Sequence, residues 1–350
     1  MRLAITACLF GTAMLAVVVA IFFWQRESTL SSSHAMEVTG EARRPLKAVI
    51  DEAITGLTPT RGAVDAQGSP INAASPPHTP AETAAASRVA SSCRGNPNAL
   101  GVARVVEIDT TGVPGFGFEH FKSHDFLRDG EVVLTFDDGP WRKNTPAIVA
   151  VLAAHCTKAI FFPIGKHATW EPGILRQVAA AGHAVGSHTW SHQDLSKTSL
   201  QEGKDEIEKG ISAVRAAVGG PTAPFFRFPA LRHPPELVTY LGQRNIGIFS
   251  TDLDSFDFKM RKPEQVRQSV MAKLKKFGKG IVLMHDFQNT TAEAAADLLS
   301  DLKGGGFKIV HTKPKFELTT LAAYDEAILK ESKLPTVSRQ TSGVVRTISE

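Results

Sequence analysis

Short apolar runs alternate with amphipathic stretches along the chain from about residue 130 onward. The runs have the length of buried strands and predict strands at 132–134, 159–162, 184–186, 225–228, 246–250, 281–284 and 307–310. Helical periodicity with Pro, Ser and Gly at the ends predicts helices at 145–154, before Gly182, after Ser199, and at 234–243, 263–276 and 291–302. Strands that alternate with helices form parallel sheets, so we predict an α/β fold. About seven such units favour a closed or nearly closed (β/α) barrel.

The first residues have the pattern of a membrane or secretory leader. Residues 3–24 are uncharged and apolar, and they lie between Arg2 and the polar residues Gln25 and Arg26. This stretch is long enough to cross a bilayer once. We interpret residues 1–26 as an uncleaved signal anchor, with a cleaved signal peptide as the alternative. The protein is then expected in the membrane facing outside the cytoplasm, in the periplasm or extracellular space, or secreted if the leader is cleaved.

A linker rich in Ala, Ser, Thr and Pro follows the leader. Its composition predicts a disordered spacer. Apolar residues at 46–57 have helical spacing, which we interpret as a transient helix rather than a docking helix. The predicted divisions are a leader at 1–26, a linker at 27–92, an N-terminal extension at 93–126, a barrel domain at 127–317 and a C-terminal helix or disordered tail at 318–350.

Charge and cysteine content exclude two classes of function. The net charge is +4, and Lys and Arg do not cluster with aromatic residues, so we do not expect nucleic-acid binding. No two cysteines form a CxxC pair, so a thiolate zinc site is not expected. Cys8 lies in the leader, which leaves Cys93 and Cys156. Outside the cytoplasm these two are expected to form a disulfide that ties the start of the domain to the barrel; two unpaired thiols are the alternative.

Polar residues gather at the carboxyl ends of the predicted strands. In chain order they are Asp137 and Asp138, then His188 and His192, Arg227, the trio Asp252, Asp254 and Asp257, and finally His285 and Asp286. The carboxyl ends of the strands of a parallel barrel open on one face, and that face carries the active site. Five segments therefore deliver acids, bases and metal-type ligands to one surface.

A metal site is predicted from the two histidines and the paired aspartates. His188 and His192 are four residues apart, which on a helical turn places both imidazoles on one face. Two surface histidines and a surface Asp-Gly turn are the alternative. Two His and one carboxylate leave open coordination positions, as in hydrolytic sites. One of Asp137 and Asp138 can then bind the metal while the other takes a proton from water.

Arg227 and His285 are candidates for supporting roles. Arg227 interrupts an apolar run, and a buried Arg needs a carboxylate partner, for which Asp137 is the natural candidate. An edge-strand Arg that points to solvent is the alternative. His285 ends a buried strand, where a histidine is usually structural, but on the same face as the metal it can act as a general acid.

Taken together, these segments resemble the polysaccharide deacetylase family, the NodB-homology domain of carbohydrate esterase family four, over about residues 127–315. The resemblance rests on Thr135-Phe136-Asp137-Asp138-Gly139, Ser187-His188-Thr189-Trp190-Ser191-His192, Arg227-Phe228-Pro229, Asp254-Ser255-Phe256-Asp257-Phe258 and Leu283-Met284-His285. It implies a distorted (β/α) barrel, in agreement with the strand count.

The resemblance also implies roles for individual residues. The implied catalytic residues are Asp137 as base, Arg227 as the residue that orients it, His285 as acid and Asp257 as the residue that tunes His285. The implied metal ligands are Asp138, His188 and His192. The implied substrate-binding residues are Pro229, Ala230 and Leu283, with Leu283 in the acetyl pocket. Ala230 stands where many members carry Tyr, and Phe258 stands where Trp is frequent, and both changes bear on substrate choice.

We therefore predict a metal-dependent hydrolase that removes acetyl groups from N-acetylated sugars of a polysaccharide, such as peptidoglycan, a chitin-like polymer or an exopolysaccharide. The ligand set suits Zn²⁺, and it also accepts Co²⁺, Ni²⁺ or Mn²⁺. Two alternatives are a hydrolase of the same fold that acts on a small amide or ureide, and a non-catalytic, membrane-tethered glycan-binding module. A leader and spacer that hold the domain away from the membrane favour a polymer over a small amide as substrate. A module that only binds glycan would not need a base, an acid and a full set of metal ligands.

Overall fold

The computed structural model describes residues 97–112 and 114–331. The strands are β1 (Arg104–Ile108), β2 (Gly115–Phe116), β3 (Glu131–Asp137), β4 (Ile160–Phe162), β5 (Ala184–Val185), β6 (Phe225–Phe226), β7 (Gly247–Phe249), β8 (Leu253–Asp254), β9 (Gly280–His285) and β10 (Lys308–Pro314). The α-helices are α1 (Asn144–Ala154), α2 (Gly165–Trp170), α3 (Pro172–Ala180), α4 (Leu200–Val218), α5 (Pro235–Gln243), α6 (Pro263–Phe277), α7 (Asn289–Gly304) and α8 (Ala322–Glu331).

The strands form two parallel sheets around β3. The larger sheet has β3 between β4 and β9, with β5 beyond β4 and β8 beyond β9, while β10 pairs with both β1 and the start of β3. The smaller sheet has the order β2-β7-β6, and a bridge from Ser187 to Phe226 joins it to the edge next to β5. The result is an α/β fold with parallel sheets, consistent with the predicted distorted barrel.

Side chains alternate between the two faces of β3. This alternation separates two hydrophobic clusters of the core and determines on which face the site lies. Val132, Leu134 and Phe136 pack outward into the cluster that includes residues of α1 and α7. Val133 packs on the other side of the sheet, among Phe162, Phe225 and Phe249 inside the barrel. Side chains alternate between the two faces of a strand, so Thr135 and Asp137 also point into the barrel. The last inward position of β3 therefore carries a carboxylate.

The apolar runs predicted strands well, and all seven predicted strands occur in the structure. Strands β1, β2 and β8 were not predicted. β1 buries only its last residue fully and exposes alternate ones, while β2 and β8 have two residues each. Segments this short carry too little periodicity to be separated from loops.

The helix predicted to end before Gly182 is two helices, and this prediction was wrong in that respect. α2 ends at Trp170 and α3 begins at Pro172, with Glu171 between them in a non-helical conformation. Proline lacks the backbone N–H and favours the first position of a helix, so it starts a second helix here.

The predicted start of α4 is confirmed. The Glu202 N–H donates to the Ser199 hydroxyl at 3.3 Å, and the Ser199 N–H donates to the Glu202 carboxylate at 2.9 Å, which completes the capping box. At the other end Gly219 has a φ of 72°, a left-handed conformation that suits glycine.

Several predictions fall on residues that lie outside the described ranges. They include the leader at 1–26, the linker at 27–92, Cys93 and the residues after 331. Among the described residues, no helix has the length and hydropathy needed to cross a bilayer. Cys156 is disulfide-bonded, and its pairing with Cys93 remains a prediction, as does the membrane anchor.

Candidate metal centre and active site

Three predicted ligands come together at one point. The Nε2 atoms of His188 and His192 each lie 3.4 Å from Oδ1 of Asp138. One ligand atom from each residue lies within 4.8 Å of the others. His188 and Asp138 are buried, whereas 39% of the His192 side chain is exposed. The structure therefore assembles the predicted His-His-Asp group at the mouth of the barrel.

The chemistry of this group fits a divalent cation. Oδ1 of Asp138 is buried and has no hydrogen-bond partner among the described residues. Nδ1 of His188 lies 2.7 Å from the carbonyl oxygen of Arg227, so the proton sits on Nδ1 and the lone pair of Nε2 faces Asp138. Burial and the nearby His192 lower the pKa of His188 well below its usual range, which keeps the ring neutral. A neutral imidazole and a carboxylate are the forms that bind a metal.

The two histidines meet on an irregular turn and not on a helical one. Thr189 and His192 have φ values of 65° and 62°, and Asp138 has a φ of 73°. These left-handed conformations are uncommon for residues other than glycine and cluster at functional sites. The spacing of the histidines correctly predicted their proximity, but the backbone achieves it in a different way.

Arg227 is fully buried and pairs with Asp137, so the solvent-facing alternative was wrong. Nη1 of Arg227 donates to Oδ1 of Asp137 and to the Thr135 hydroxyl, at 2.7 Å each. Nε and Nη2 donate to the carbonyl oxygens of Phe249 and Ser250 at 3.1 and 2.8 Å. The guanidinium thus fixes the Asp137 carboxylate and ties it to the end of β7.

Burial opposes the effect of this ion pair on the pKa of Asp137. Burial raises the pKa of Asp137 to about 6, against the opposing charges of Arg227 and His285. Its second oxygen, Oδ2, lies 4.0 Å from Nε2 of His188. One oxygen of Asp137 is therefore held by Arg227, and the other faces the predicted metal ligands.

His285 lies on the other side of Asp138 and is held by Asp257. Nδ1 of His285 is 2.6 Å from Oδ1 of Asp257, and Oδ2 accepts from the His285 N–H at 2.7 Å and from the Thr291 hydroxyl at 2.6 Å. Nε2 of His285 faces Oδ2 of Asp138 at 3.9 Å. Burial would lower the pKa of His285, but the hydrogen bond to Asp257 and the neighbouring carboxylates raise it to about 9.

The predicted substrate-binding residues lie around this centre. Pro229 and Ala230 belong to a short 3₁₀ turn after β6, in which Ala230 is exposed and has a φ of 51°. Leu283 lies on β9, opposite Thr135 of β3 and Asp254 of β8, and is 5% exposed. Phe258 stacks edge-to-face on His285 with ring centroids 5.5 Å apart. Their contact with substrate stays a prediction.

Two of the predicted polar residues do not join the site. The carboxylate of Asp252 accepts from the backbone N–H groups of Phe118 and Ile281, which makes it a structural link between segments. Oδ1 of Asp254 accepts from the N–H of Phe256 in a local turn.

The comparisons with known proteins agree with this geometry. Residues 126–246 match the family model described as polysaccharide deacetylase. This segment therefore has the sequence features of the polysaccharide deacetylase family. The matched segment includes Asp137, Asp138, His188, His192 and Arg227, whereas Asp257 and His285 follow it.

Two relatives illustrate the similarity of the chain to known deacetylases. The peptidoglycan-N-acetylglucosamine deacetylase PgdA of Listeria monocytogenes is 36% identical over 182 residues, which cover 51% of this chain and 37% of that protein. The chain thus spans little more than a third of the length of that relative. A chitooligosaccharide deacetylase of Bradyrhizobium is 29% identical over 53% of this chain and 89% of its own length.

A solved structure resembles more of the chain. The peptidoglycan deacetylase of Bdellovibrio bacteriovorus matches with a TM-score of 0.57 and 27% identity, over 66% of this chain and 68% of its own. This coverage exceeds the family-model segment, so the likeness of fold extends beyond residues 126–246.

Supporting residues surround Asp138, and among them the sequence analysis singled out only Asp286. Nδ1 of His167 lies 2.6 Å from the carbonyl oxygen of Asp138. The Thr145 hydroxyl accepts from the Trp141 N–H at 2.7 Å and donates to Asp286 at 2.6 Å. Burial raises the pKa of Asp286 to about 7. These contacts hold the loop that carries Asp138. In the sequence, the only signals for them were the Thr-Pro pair at the predicted start of a helix and Asp286 at the end of a strand.

Proposed function

We propose that the protein removes acetyl groups from N-acetylated sugars of a polysaccharide by metal-assisted hydrolysis. One observation carries this proposal: a His-His-Asp group, of which Asp138 and His188 are buried, lies between a carboxylate held by Arg227 and an imidazole held by Asp257. Amide hydrolysis needs a group that takes a proton from water and a group that gives one to the leaving amine. The arrangement supplies both, on either side of the site for the cation.

Asp138, His188 and His192 would hold the metal. A divalent ion bound there supplies Lewis acidity toward an acetamide oxygen and a water molecule. Imidazole and carboxylate ligands suit Zn²⁺ and also accept Co²⁺, Ni²⁺ or Mn²⁺. The unpaired Oδ1 of Asp138 and the neutral His188 support this assignment.

Asp137 acts as the general base in this proposal. Arg227 holds one oxygen, so the other stays directed toward the metal ligands and can take a proton from water. A pKa of about 6 leaves the carboxylate ionised at neutral pH, yet more basic than an exposed aspartate.

His285 acts as the general acid. Asp257 binds Nδ1, so Nε2 carries the proton that is given to the leaving amine. A pKa of about 9 keeps His285 protonated at neutral pH. Between about pH 6 and 9 the carboxylate of Asp137 is ionised and the imidazole of His285 is protonated, so activity is expected in this range.

The turn after β6 is proposed to bind the acetyl group. The N–H groups of Leu231 and Arg232 donate to Phe228 and Pro229 within the turn. We assign the N–H of Ala230 to the oxyanion that forms during hydrolysis. Leu283 and Pro229 would line the acetyl pocket. The small side chain of Ala230 leaves that side of the pocket open.

The substrate is proposed to be an N-acetylated glycan outside the cytoplasm. The relatives named above are peptidoglycan and chitooligosaccharide deacetylases, which supports this substrate class. The disulfide at Cys156 and the apolar stretch at 3–24 support an oxidising, extracytoplasmic location with a membrane anchor.

Acetate release tests the proposal directly. The full chain, purified in detergent, is stripped of metal, reloaded with single divalent ions and incubated with N-acetylglucosamine polymers and peptidoglycan. Acetate is expected only with metal, and the Asp137→Asn variant should release almost none. A protein that binds metal and glycan but releases no acetate from any polymer would contradict the proposal and favour a glycan-binding module.

A further inference from the structure

A continuous row of aromatic rings crosses the mouth of the site. Successive ring contacts, with centroids 4.9 to 6.5 Å apart, connect Trp170, His167, Trp141, Phe287, His285, Phe258 and Phe256 in that order. These separations are those of edge-to-face and offset ring pairs. We call this set the aromatic row.

The order of the rings follows the order of the strands. In the larger sheet the neighbours are β4, β3, β9 and β8. The rings at their carboxyl ends are His167 and Trp170 after β4, Trp141 after β3, His285 and Phe287 at β9, and Phe256 and Phe258 after β8. Asp138 also follows β3, so the aromatic row extends to both sides of the residue that we assign to the metal.

Contacts to Asp138 place the middle of the row at the reacting centre. His167 contacts the Asp138 carbonyl oxygen at 2.6 Å, and Nε2 of His285 lies 3.9 Å from its carboxylate. Trp170 then forms one arm of the row, on the β4 side. Phe258 and Phe256 form the other arm, on the β8 side.

The ends of the row are exposed and held in place. Trp170 is 60% exposed and Phe256 is 39% exposed. The ammonium groups of Lys273 and Lys259 lie 4.4 and 4.7 Å from the centre of the Phe256 ring, which stabilises it at the surface. Exposed aromatic surface of this kind marks a site of ligand contact.

We propose that the aromatic row binds successive sugar rings on both sides of the sugar that loses its acetyl group. The apolar C–H face of a pyranose packs on an aromatic ring, as other apolar surfaces do. Because the row has an arm on each side of Asp138, the reacting sugar has bound neighbours in both directions. The enzyme therefore acts on sugars inside a glycan chain and not at its ends. This inference rests on the proposed deacetylation.

The length and product pattern of short substrates test the inference. The metal-loaded full chain is given N-acetylglucosamine oligomers from dimer to hexamer, and acetate release and the positions of lost acetyl groups are measured, the latter by tandem mass spectrometry. We expect kcat/KM to rise at least about tenfold from dimer to hexamer, with loss at internal sugars. Equal kcat/KM for all lengths, or loss only at a terminal sugar, would overturn the inference.

Variants at the two arms provide the matched test. Trp170→Ala and Phe256→Ala should each lower kcat/KM by about tenfold on the hexamer and by less on the dimer. Phe277→Ala and Phe316→Ala serve as controls, because these rings are 56% and 52% exposed and lie outside the row. An equal loss on dimer and hexamer, or the same effect in the controls, would contradict the role of the row.

A binding measurement separates this inference from the proposed function. Hexamer binding to the metal-stripped protein is followed by calorimetry and tryptophan fluorescence, which need no turnover. Binding that Trp170→Ala and Phe256→Ala weaken supports the row as a glycan site even if no acetate is released, and then only the deacetylation fails. Acetate release with unchanged hexamer binding in both variants overturns the row and leaves the deacetylation standing.

Discussion

Oδ1 of Asp257 lies 2.6 Å from Nδ1 of His285 and reverses the effect of burial on that histidine. An imidazole this buried would ordinarily lose its proton below its usual pKa. The carboxylate of Asp257 instead keeps His285 protonated at neutral pH. The protonation of His285 thus depends on a residue that is itself fully buried.

Replacing Asp257 with Asn should move the alkaline limb of the activity profile. Without the Asp257 charge the pKa of His285 falls from about 9, so activity that needs the protonated form is lost at lower pH. We expect the upper limb of kcat/KM to shift down by at least about one pH unit. Asp254→Asn is the control, since Asp254 only caps a local turn. An unmoved limb would show that Asp257 does not set this pKa.

The two adjacent aspartates should separate metal binding from turnover. Asp138→Asn should lose both the metal and activity, because Oδ1 of Asp138 is the atom shared by His188 and His192. Asp137→Asn should keep most of the metal affinity and lose at least about a hundredfold in kcat. Calorimetric titration with Zn²⁺ and acetate release measure the two effects. Equal losses of metal affinity in both variants would refute the division of roles.

Removing the charge of Arg227 should destabilise the fold as well as stop the reaction. Arg227→Met leaves the Asp137 carboxylate buried without its partner, which costs about 3–5 kcal/mol. The double variant Arg227→Met with Asp137→Asn should recover a large part of this loss, since neither member of the pair then carries a charge. Urea unfolding measures both. A single variant as stable as the wild type would mean that solvent reaches Asp137.

Acid sensitivity is predicted from His183, which precedes β5, whereas the ligand His188 follows that strand. Burial lowers the pKa of His183 to about 3. The unfolded chain takes up the proton near pH 6.5 and the folded protein does not, so stability falls as the pH drops from 6.5 toward 3. The contribution of His183 to this slope is at most about 1.4 kcal/mol per pH unit.

His183→Gln provides the comparison for this prediction. Nδ1 of His183 accepts from the Ala159 N–H at 3.2 Å, and a glutamine oxygen can replace that acceptor. The free energy of unfolding of the variant should therefore fall less steeply than that of the wild type between pH 6.5 and 4.5. Parallel curves would show that His183 is not the responsible group.

The fold was predictable where burial leaves a pattern in the sequence. β3 and β9 are continuous apolar runs because both faces of each strand are covered. β8 has only two residues and could not be recognised, although it places Asp257 and the two exposed phenylalanines. Pro172 marks the break between α2 and α3 in the sequence. The helical periodicity on both sides of it nevertheless led to the prediction of one continuous helix.

The candidate site was predictable where side-chain chemistry is explicit. Asp138, His188 and His192 are metal-type ligands at strand ends, and the structure brings them together. The contact of His167 with Asp138 was not predictable, because a backbone carbonyl has no signature in the sequence. The aromatic row was missed for a related reason, since its members come from separate loops that become neighbours only through the strand order.

The alternation of side chains along β3 links the packing of the core to the chemistry. Val133, Thr135 and Asp137 share one face, and a shift of the strand by one residue would turn Phe136 toward Arg227 and bury the carboxylate among the helices. Every residue of the site would still be present in such a chain, yet the ionisable group would face the wrong way. The hydrophobic residues of β3 are therefore as necessary to the site as Asp137 itself, because strand register determines where the charge is delivered.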